Sequence, residues 1–237
     1  MIYSKRVQIK DLRCDHIDAM FALYSKYYGG ASLAIFCEDI KKKDHVILLN
    51  DHAERIQGFS TVQMVVAEFE EKPIRVLFSG DTIVEHCYWG RNDLAQEWLK
   101  LAGQVKYQAP EIPLYWLLIV KGHRTYRYLS LFSRTYYPTH QIETPPEQKR
   151  LMDYLSTLMF ADAYDNHKGI LHFPNSRGHL HGEWADIPSK DLRHPEVQFF
   201  LERNPGYRQG DELVCLCELI EENLKPFSQR IFSQQKS

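Results

Sequence analysis

The stretch from Leu77 to Pro138 constrains this chain most. A strand-like run, Ile74 to Val84, meets a loop holding one glycine, Gly90, which opens into an amphipathic helix. On that helix Leu94, Trp98, Leu101, Ala102 and Val105 recur on one face. A second apolar strand, Pro113 to Val120, follows, then a Tyr- and Arg-rich helix over 122–136 that stops before Pro138. A strand, a loop opening a helix and a second strand form one crossover unit, so those strands lie parallel and need a sheet with helices packed on it.

The segments around that unit extend the sheet. His45 to Asn50 reads as a buried strand, Asn50-Asp51-His52 as a turn, and Arg55 to Phe69 as a long β-branched strand with Gly58 inside it. Ser79-Gly80-Asp81 interrupts the next strand as a bulge or bend. Before them, Asp15 caps a helix carrying Ile17, Met20, Phe21, Tyr24 and Tyr27-Tyr28, which Gly29-Gly30 stops. A second short helix begins at Ser32 and ends in Lys41-Lys42-Lys43. Thr139 to Pro146 is the best boundary in the chain. Beyond it the spacing predicts a helix with Leu151, Leu155, Leu158 and Met159 on one face, and short strands at Gly169–Phe173 and His181–Trp184. A helix starting at Pro195, a last strand from Glu212 to Leu219, and a frayed polar tail after Pro226 complete it. The expected fold class is mixed α/β (α+β): a domain over 1–140, with a C-terminal αβ extension over 141–237 packed on or completing the same sheet.

Composition excludes several classes. The 237 residues are 44% apolar and 25% charged, values of a globular chain that buries a core without metal or disulfide. Lys plus Arg (29) nearly balances Asp plus Glu (31), so the basic excess that nucleic-acid binding draws on is missing. No apolar run reaches the roughly 18 residues of a membrane span, and the N-terminus shows no signal-peptide pattern. Five scattered cysteines do not make a disulfide framework, and they point to a reducing cytoplasm. The aromatic share of 13% calls for a large aromatic core or an aromatic-lined pocket.

The strand, one-glycine loop and helix, followed by a parallel strand and a Tyr-rich helix, resemble the GNAT (N-acetyltransferase-like) superfamily. The leading two-helix hairpin and the strands at His45–Asn50 and Arg55–Val62 agree with it. The family's pyrophosphate loop reads Gln/Arg-x-x-Gly-x-Gly/Ala, and the matching register is Cys87-Tyr88-Trp89-Gly90-Arg91-Asn92, where only the central glycine is kept. The family's general-acid tyrosine falls near Phe132, which leaves Tyr128 as the first candidate for that role and Tyr126 as the second. A degenerate loop, many aromatics and a long extension are shared with the N-acyl amino acid synthase-like branch, which takes acyl groups from a carrier protein. The resemblance implies acyl transfer from an acyl-CoA or acyl-carrier-protein thioester to a small amine, with Cys87 to Asn92 holding the donor and no metal.

Glu85 and His86 stand at the strand end as candidate general bases, the alternative being a solvated strand end. Asp81 is a candidate ligand for a substrate ammonium, or a residue that caps the bend. Phe78, Trp89 and Trp116 are candidates for an acyl channel. Lys121, Arg124, Arg127 and Arg134 form a basic set that can meet phosphates or a carrier protein's acidic side chains. His179-x-His181 with His172 and Glu183 has metal-ligand residue types at a spacing that is no zinc signature. A non-catalytic ligand- or partner-binding protein on the same fold is the rival reading, and the sequence leaves the oligomeric state open.

Overall fold

Central strands flanked by helices on both faces must be apolar on both sides, and β3 (His45–Asp51) is buried over all but its first residue. The structure, a computed structural model, describes residues 2–173 and 177–236. In chain order, β1 (Ile2–Gln8) leads to α1 (Cys14–Tyr27), the short β2 (Tyr28–Gly29), α2 (Leu33–Ile40) and β3. Then come β4 (Ile56–Phe69), β5 (Lys72–Val84), α3 (Asp93–Gln108), β6 (Leu114–Val120), α4 (His123–Phe132) and α5 (Pro146–Phe160). The chain closes with β7 (Tyr164–Asp165), β8 (Ile170–Leu171), β9 (His179–Leu180), α6 (Gly182–Ala185), α7 (Pro195–Arg203), β10 (Glu212–Glu218) and α8 (Pro226–Ser233).

Eight strands form one sheet in the order β1-β3-β4-β5-β6-β10-β8-β7. Every pairing in it is antiparallel except β5 with β6, the pair joined through α3. The strands β10, β8 and β7 from the C-terminal third thus continue the sheet begun by β1–β6. The outer half of β4 alternates between half-buried and exposed, because Val65, Ala67 and Phe69 pack against the α5 cluster while Met64, Val66 and Glu68 are exposed.

One face is covered by α3, α4, α7 and α8 around Leu77, Trp98, Trp116, Tyr126 and Phe200. The opposite face carries two separate clusters: α1 and α2 pack on Val46, Leu48, Phe59 and Ile83, and α5 packs on Val76, Phe78, Leu117 and Leu216. A gap is left between those two clusters near the sheet's centre, and it is the first part of the site described below.

Several expectations need correction. Arg13, not Asp15, precedes α1; Asp15 lies in the first turn, paired with Arg13 at 2.7 Å. The fourth helix ends at Phe132 instead of 136, because Ser133 and Tyr137 leave it to bridge Leu224 and Leu216. Leu158 is 53% exposed, so the inner face of α5 is Leu151, Met152 and Leu155. Residues 182–185 form a helical turn instead of a strand. The tail after Pro226 is a helix with Ile231 and Phe232 buried against α3. Gly103 lets it approach, since a Cβ there would lie 2.4 Å from the Phe232 carbonyl oxygen.

Candidate active site

The site is built where β5 and β6 part. Their pairing runs from Arg75↔Leu114 to Ser79↔Leu118 and stops, although β5 continues to Val84 and β6 to Val120. The cause lies in the expected bulge: Ser60 pairs with Thr82 and Val62 with Ser79, so Gly80 and Asp81 together face only Thr61. Glycine is needed there, because a Cβ on Gly80 would fall 2.5 Å from the Thr61 hydroxyl oxygen. Beyond Ser79, the β5 backbone groups that point toward β6 have no strand partner. Three cavities converge on the gap, and all share Thr82 and Thr125.

The first is an aromatic cleft of about 230 Å³ under the loop between β5 and α3. Tyr88, Trp89, Gly90, Arg91, Tyr128 and Trp184 line it. Trp89 is fixed by its indole N–H, which donates to the Val84 carbonyl at 2.8 Å, and the Arg124 guanidinium lies 4.7 Å over its ring. Gly90 takes φ +85°, where a side chain would be strained. Asn92 occupies the N-cap of α3 without a side-chain hydrogen bond. The first-turn N–H groups of Asp93, Leu94 and Ala95 therefore have no partner among the described residues, and with the helix dipole they offer an anion site.

Behind the cleft lies an apolar slot of about 60 Å³ between α3 and α4, lined by Leu94, Trp98, Trp116, Leu118, Tyr128 and Phe132. Trp116 is held there by its N–H, which donates to the Ser79 hydroxyl at 2.9 Å. Tyr128 borders both spaces, and its hydroxyl makes no hydrogen bond among the described residues. Burial raises its pKa, so it is a protonated phenol at neutral pH.

The third space, on the opposite face, is a charged cavity of about 80 Å³ in the gap between α1–α2 and α5. Lys43 pairs with Asp39 at 2.9 Å, and the half-buried Lys121 pairs with buried Glu212 at 3.4 Å. Asp81 makes no ion pair or hydrogen bond through its carboxylate among the described residues. Burial raises its pKa, against the opposing pull of Lys121, and burial likewise raises that of Glu212. Sequence reading missed Asp39, Lys43, Arg177 and Glu212. A signal existed in Glu212, an acid at the start of a strand whose first six residues are all buried.

The other sequence candidates are placed as follows. Glu85 is committed elsewhere: its carboxylate takes Lys26 at 2.6 Å and the Tyr27 hydroxyl at 2.9 Å. These bonds outweigh burial and lower its pKa, and Glu85 borders a different groove, with Lys26 and Gln57. His86 is exposed, its ring 4.6 Å from Trp89 and 5.4 Å from Trp184. Cys87 is an exposed free thiol outside the cleft lining, and Tyr88, Trp89, Gly90 and Arg91 are within it. Arg91 pairs with Asp93 at 2.9 Å. Phe78, Trp89 and Trp116 do not form one channel: Phe78 lines the charged cavity, Trp89 the cleft and Trp116 the slot. The basic set is likewise scattered. Lys121 faces the charged cavity, Arg124 stacks on Trp89, Arg127 approaches Asp191 at 3.9 Å, and Arg134 lies beyond α4. His172 pairs with Asp211 at 2.6 Å, while His179 and His181 lie against Gly29; no metal-binding group of side chains occurs among the described residues.

An antiparallel set followed by one parallel pair, which parts over a loop opening into a helix, is the arrangement that the sequence resemblance implies. The fold is mixed α/β, one central mixed sheet flanked by helices. No protein-family model and no curated protein matches the chain. Among solved structures it is similar to an Enterococcus faecalis V583 protein described as a probable N-acyltransferase, at 12% identity and TM-score 0.43, over 57% of this chain and 33% of that one. It is also similar to YhbS, a GNAT family N-acetyltransferase of Escherichia coli in complex with CoA, at 12% identity and TM-score 0.40, over 56% and 69% of the two chains. For Escherichia coli ElaA the values are 18% identity and TM-score 0.38, over 62% and 95%. The matched region thus spans a third of the Enterococcus protein's length. No helix among the described residues is long and apolar enough to cross a membrane.

Proposed function

We propose that this chain transfers a short acyl group from acyl-CoA to an amine. The observation that carries the reading is the parting of β5 from β6, with cavities on both faces of the sheet meeting at Thr82 and Thr125. A donor and an acceptor can approach the same gap from opposite sides, which is the geometry a displacement at a thioester needs.

The amide-bearing pantetheine arm suits the unpaired edge of β5, where it can hydrogen-bond as an added strand does. The free N–H groups at the start of α3 suit the pyrophosphate. The slot beside Trp98 and Trp116, at about 60 Å³, suits an acyl group of a few carbons. On the acceptor side, Asp81 is poised as the base, since an unpaired carboxylate with a raised pKa takes a proton readily. The ammonium gives one proton to Asp81 and its nitrogen attacks the thioester carbonyl. A C–N bond forms, the C–S bond breaks, and the thiolate takes a proton from Tyr128 as the nitrogen releases its second proton to water. Asp81 and Tyr128 thus take the roles for which Glu85, His86 and Tyr128 stood as sequence candidates.

Melting curves with CoA, acetyl-CoA, octanoyl-CoA and a phosphopantetheinyl carrier protein test the donor. Occupancy at 100 times the dissociation constant adds about 2.7 kcal/mol of stability, which is visible as a melting shift. The reading expects shifts with CoA and acetyl-CoA and a smaller one with octanoyl-CoA. A shift with the carrier protein alone would move the donor to that class, and no shift with any of them would overturn acyl transfer.

A further inference from the structure

The charged cavity holds three acidic and three basic side chains: Asp39, Asp81 and Glu212 with Lys43, Lys121 and Arg177. Four of the six satisfy one another in the Lys43–Asp39 and Lys121–Glu212 pairs. The remaining two are one carboxylate and one guanidinium. Neither Asp81 nor Arg177 makes a side-chain hydrogen bond or ion pair among the described residues, and the Arg177 guanidinium lies 4.2 Å over the Phe173 ring. The backbone carbonyl of Arg177 is pinned by the Tyr24 hydroxyl at 2.9 Å and by Lys121 Nζ at 3.1 Å, which fixes where this side chain starts.

We propose that the cavity binds a small zwitterionic α-amino acid, with its ammonium on Asp81 and its carboxylate on Arg177. Naming that ligand as the acyl acceptor rests on the acyl-transfer reading above; its binding does not. A simple amine would use Asp81 alone and gain nothing from the guanidinium, and a simple carboxylate would leave Asp81 facing a low-dielectric space unpaired. A diamine needs a second free anion, and Asp39 and Glu212 already hold their lysines. Volume sets the side chain: about 80 Å³ walled by Tyr24, Tyr28, Phe36, Phe78 and Phe160 takes a residue of alanine or serine size. Orientation follows from position. Arg177 is exposed at the mouth, while Asp81 sits on the β5 bulge beside Thr82, so the nitrogen enters first and ends nearest the gap between β5 and β6.

The test is ligand-observed NMR titration of the full chain, without a donor, using L-alanine, ethylamine and propionate. L-Alanine is expected to bind saturably and about 10–100-fold more tightly than either fragment, the range of a charged hydrogen-bonded contact. R177Q alters an exposed side chain, so folding is not at stake; it is expected to lower L-alanine affinity about tenfold or more and leave ethylamine unchanged. D81N should weaken L-alanine and ethylamine together. Equal binding of ethylamine and L-alanine, unchanged L-alanine affinity in R177Q, or no saturable L-alanine binding would each overturn the inference. CoA titrated into the same samples separates the two readings. CoA binding without L-alanine binding defeats the amino-acid site alone, whereas L-alanine binding without CoA or carrier-protein binding defeats acyl transfer and leaves the site standing.

Discussion

The two faces of the sheet opening are made from different chemistry. On one, the cleft and slot are walled by aromatic rings, with a helix N-terminus and a phenol that have no hydrogen-bond partner among the described residues. On the other, six charges share a small cavity, four of them locked in pairs. Rings and free N–H groups cost less to keep unoccupied than charges do, because the rings pack on one another and an N–H carries no net charge. Buried charges must be matched within the protein or by a ligand. The difference predicts that the charged side controls stability and acceptor choice, whereas the aromatic side controls donor binding and chemistry.

The comparison breaks first at Lys121. K121M leaves Glu212 without its partner and removes the main positive charge that opposes burial at Asp81, and urea unfolding is expected to show a loss of about 3–5 kcal/mol. The double variant K121M/E212L should regain most of that loss. If K121M alone costs under about 1 kcal/mol, the pair is not buried as described.

Tyr128 is the counterpart on the aromatic side. Its hydroxyl bonds nothing among the described residues, so Y128F should leave stability within about 0.5 kcal/mol and lower turnover on the order of 10²-fold. Unchanged turnover would remove the tyrosine from the proton path.

The charged side should also govern the pH response. Burial raises the folded-state pKa of Asp81 and Glu212 above their values in the unfolded chain. As pH rises past the ordinary carboxylate range, the unfolded chain loses protons that the folded one keeps, so stability falls until the folded-state pKa is passed. D81N is therefore expected to fall less steeply from about pH 4 toward neutrality, measured by unfolding at a series of pH values. A steeper fall would contradict the assignment of burial as the dominant cause.

The smallest effect separates the helices that flank the opening. Ser32 caps α2, accepting from the Ile35 N–H at 3.2 Å, and S32A should cost about 1 kcal/mol. Asn92 makes no such bond on α3, so N92A should stay within about 0.5 kcal/mol. Equal losses would mean that the α3 terminus is not open to a ligand.

The sequence made the sheet legible where periodicity and turn chemistry are local. The β3–β4–β5 succession, the bulge at Gly80 and the α3 face all follow from spacing within a few residues of one another. The limits of α4 and the C-terminal helix were not legible, because Ser133, Tyr137 and Phe232 answer to partners some 80 to 130 positions away. The same distance hid the charged cavity. Asp39, Asp81, Lys121, Arg177 and Glu212 are brought together only by the closed sheet, and no window of sequence holds more than one matched pair. Glu85 and His86 show the opposite case. They are adjacent to the loop in sequence, but Lys26, Tyr27 and two tryptophans claim them.

The most direct test mixes the protein with acetyl-CoA and L-alanine, follows free thiol, and identifies the product by mass spectrometry. The account predicts thiol release that depends on the amino acid, matched mole for mole by N-acetylalanine and lost in D81N. Thiol release no faster than the protein-free blank, with L-alanine and with simple amines alike, would contradict it.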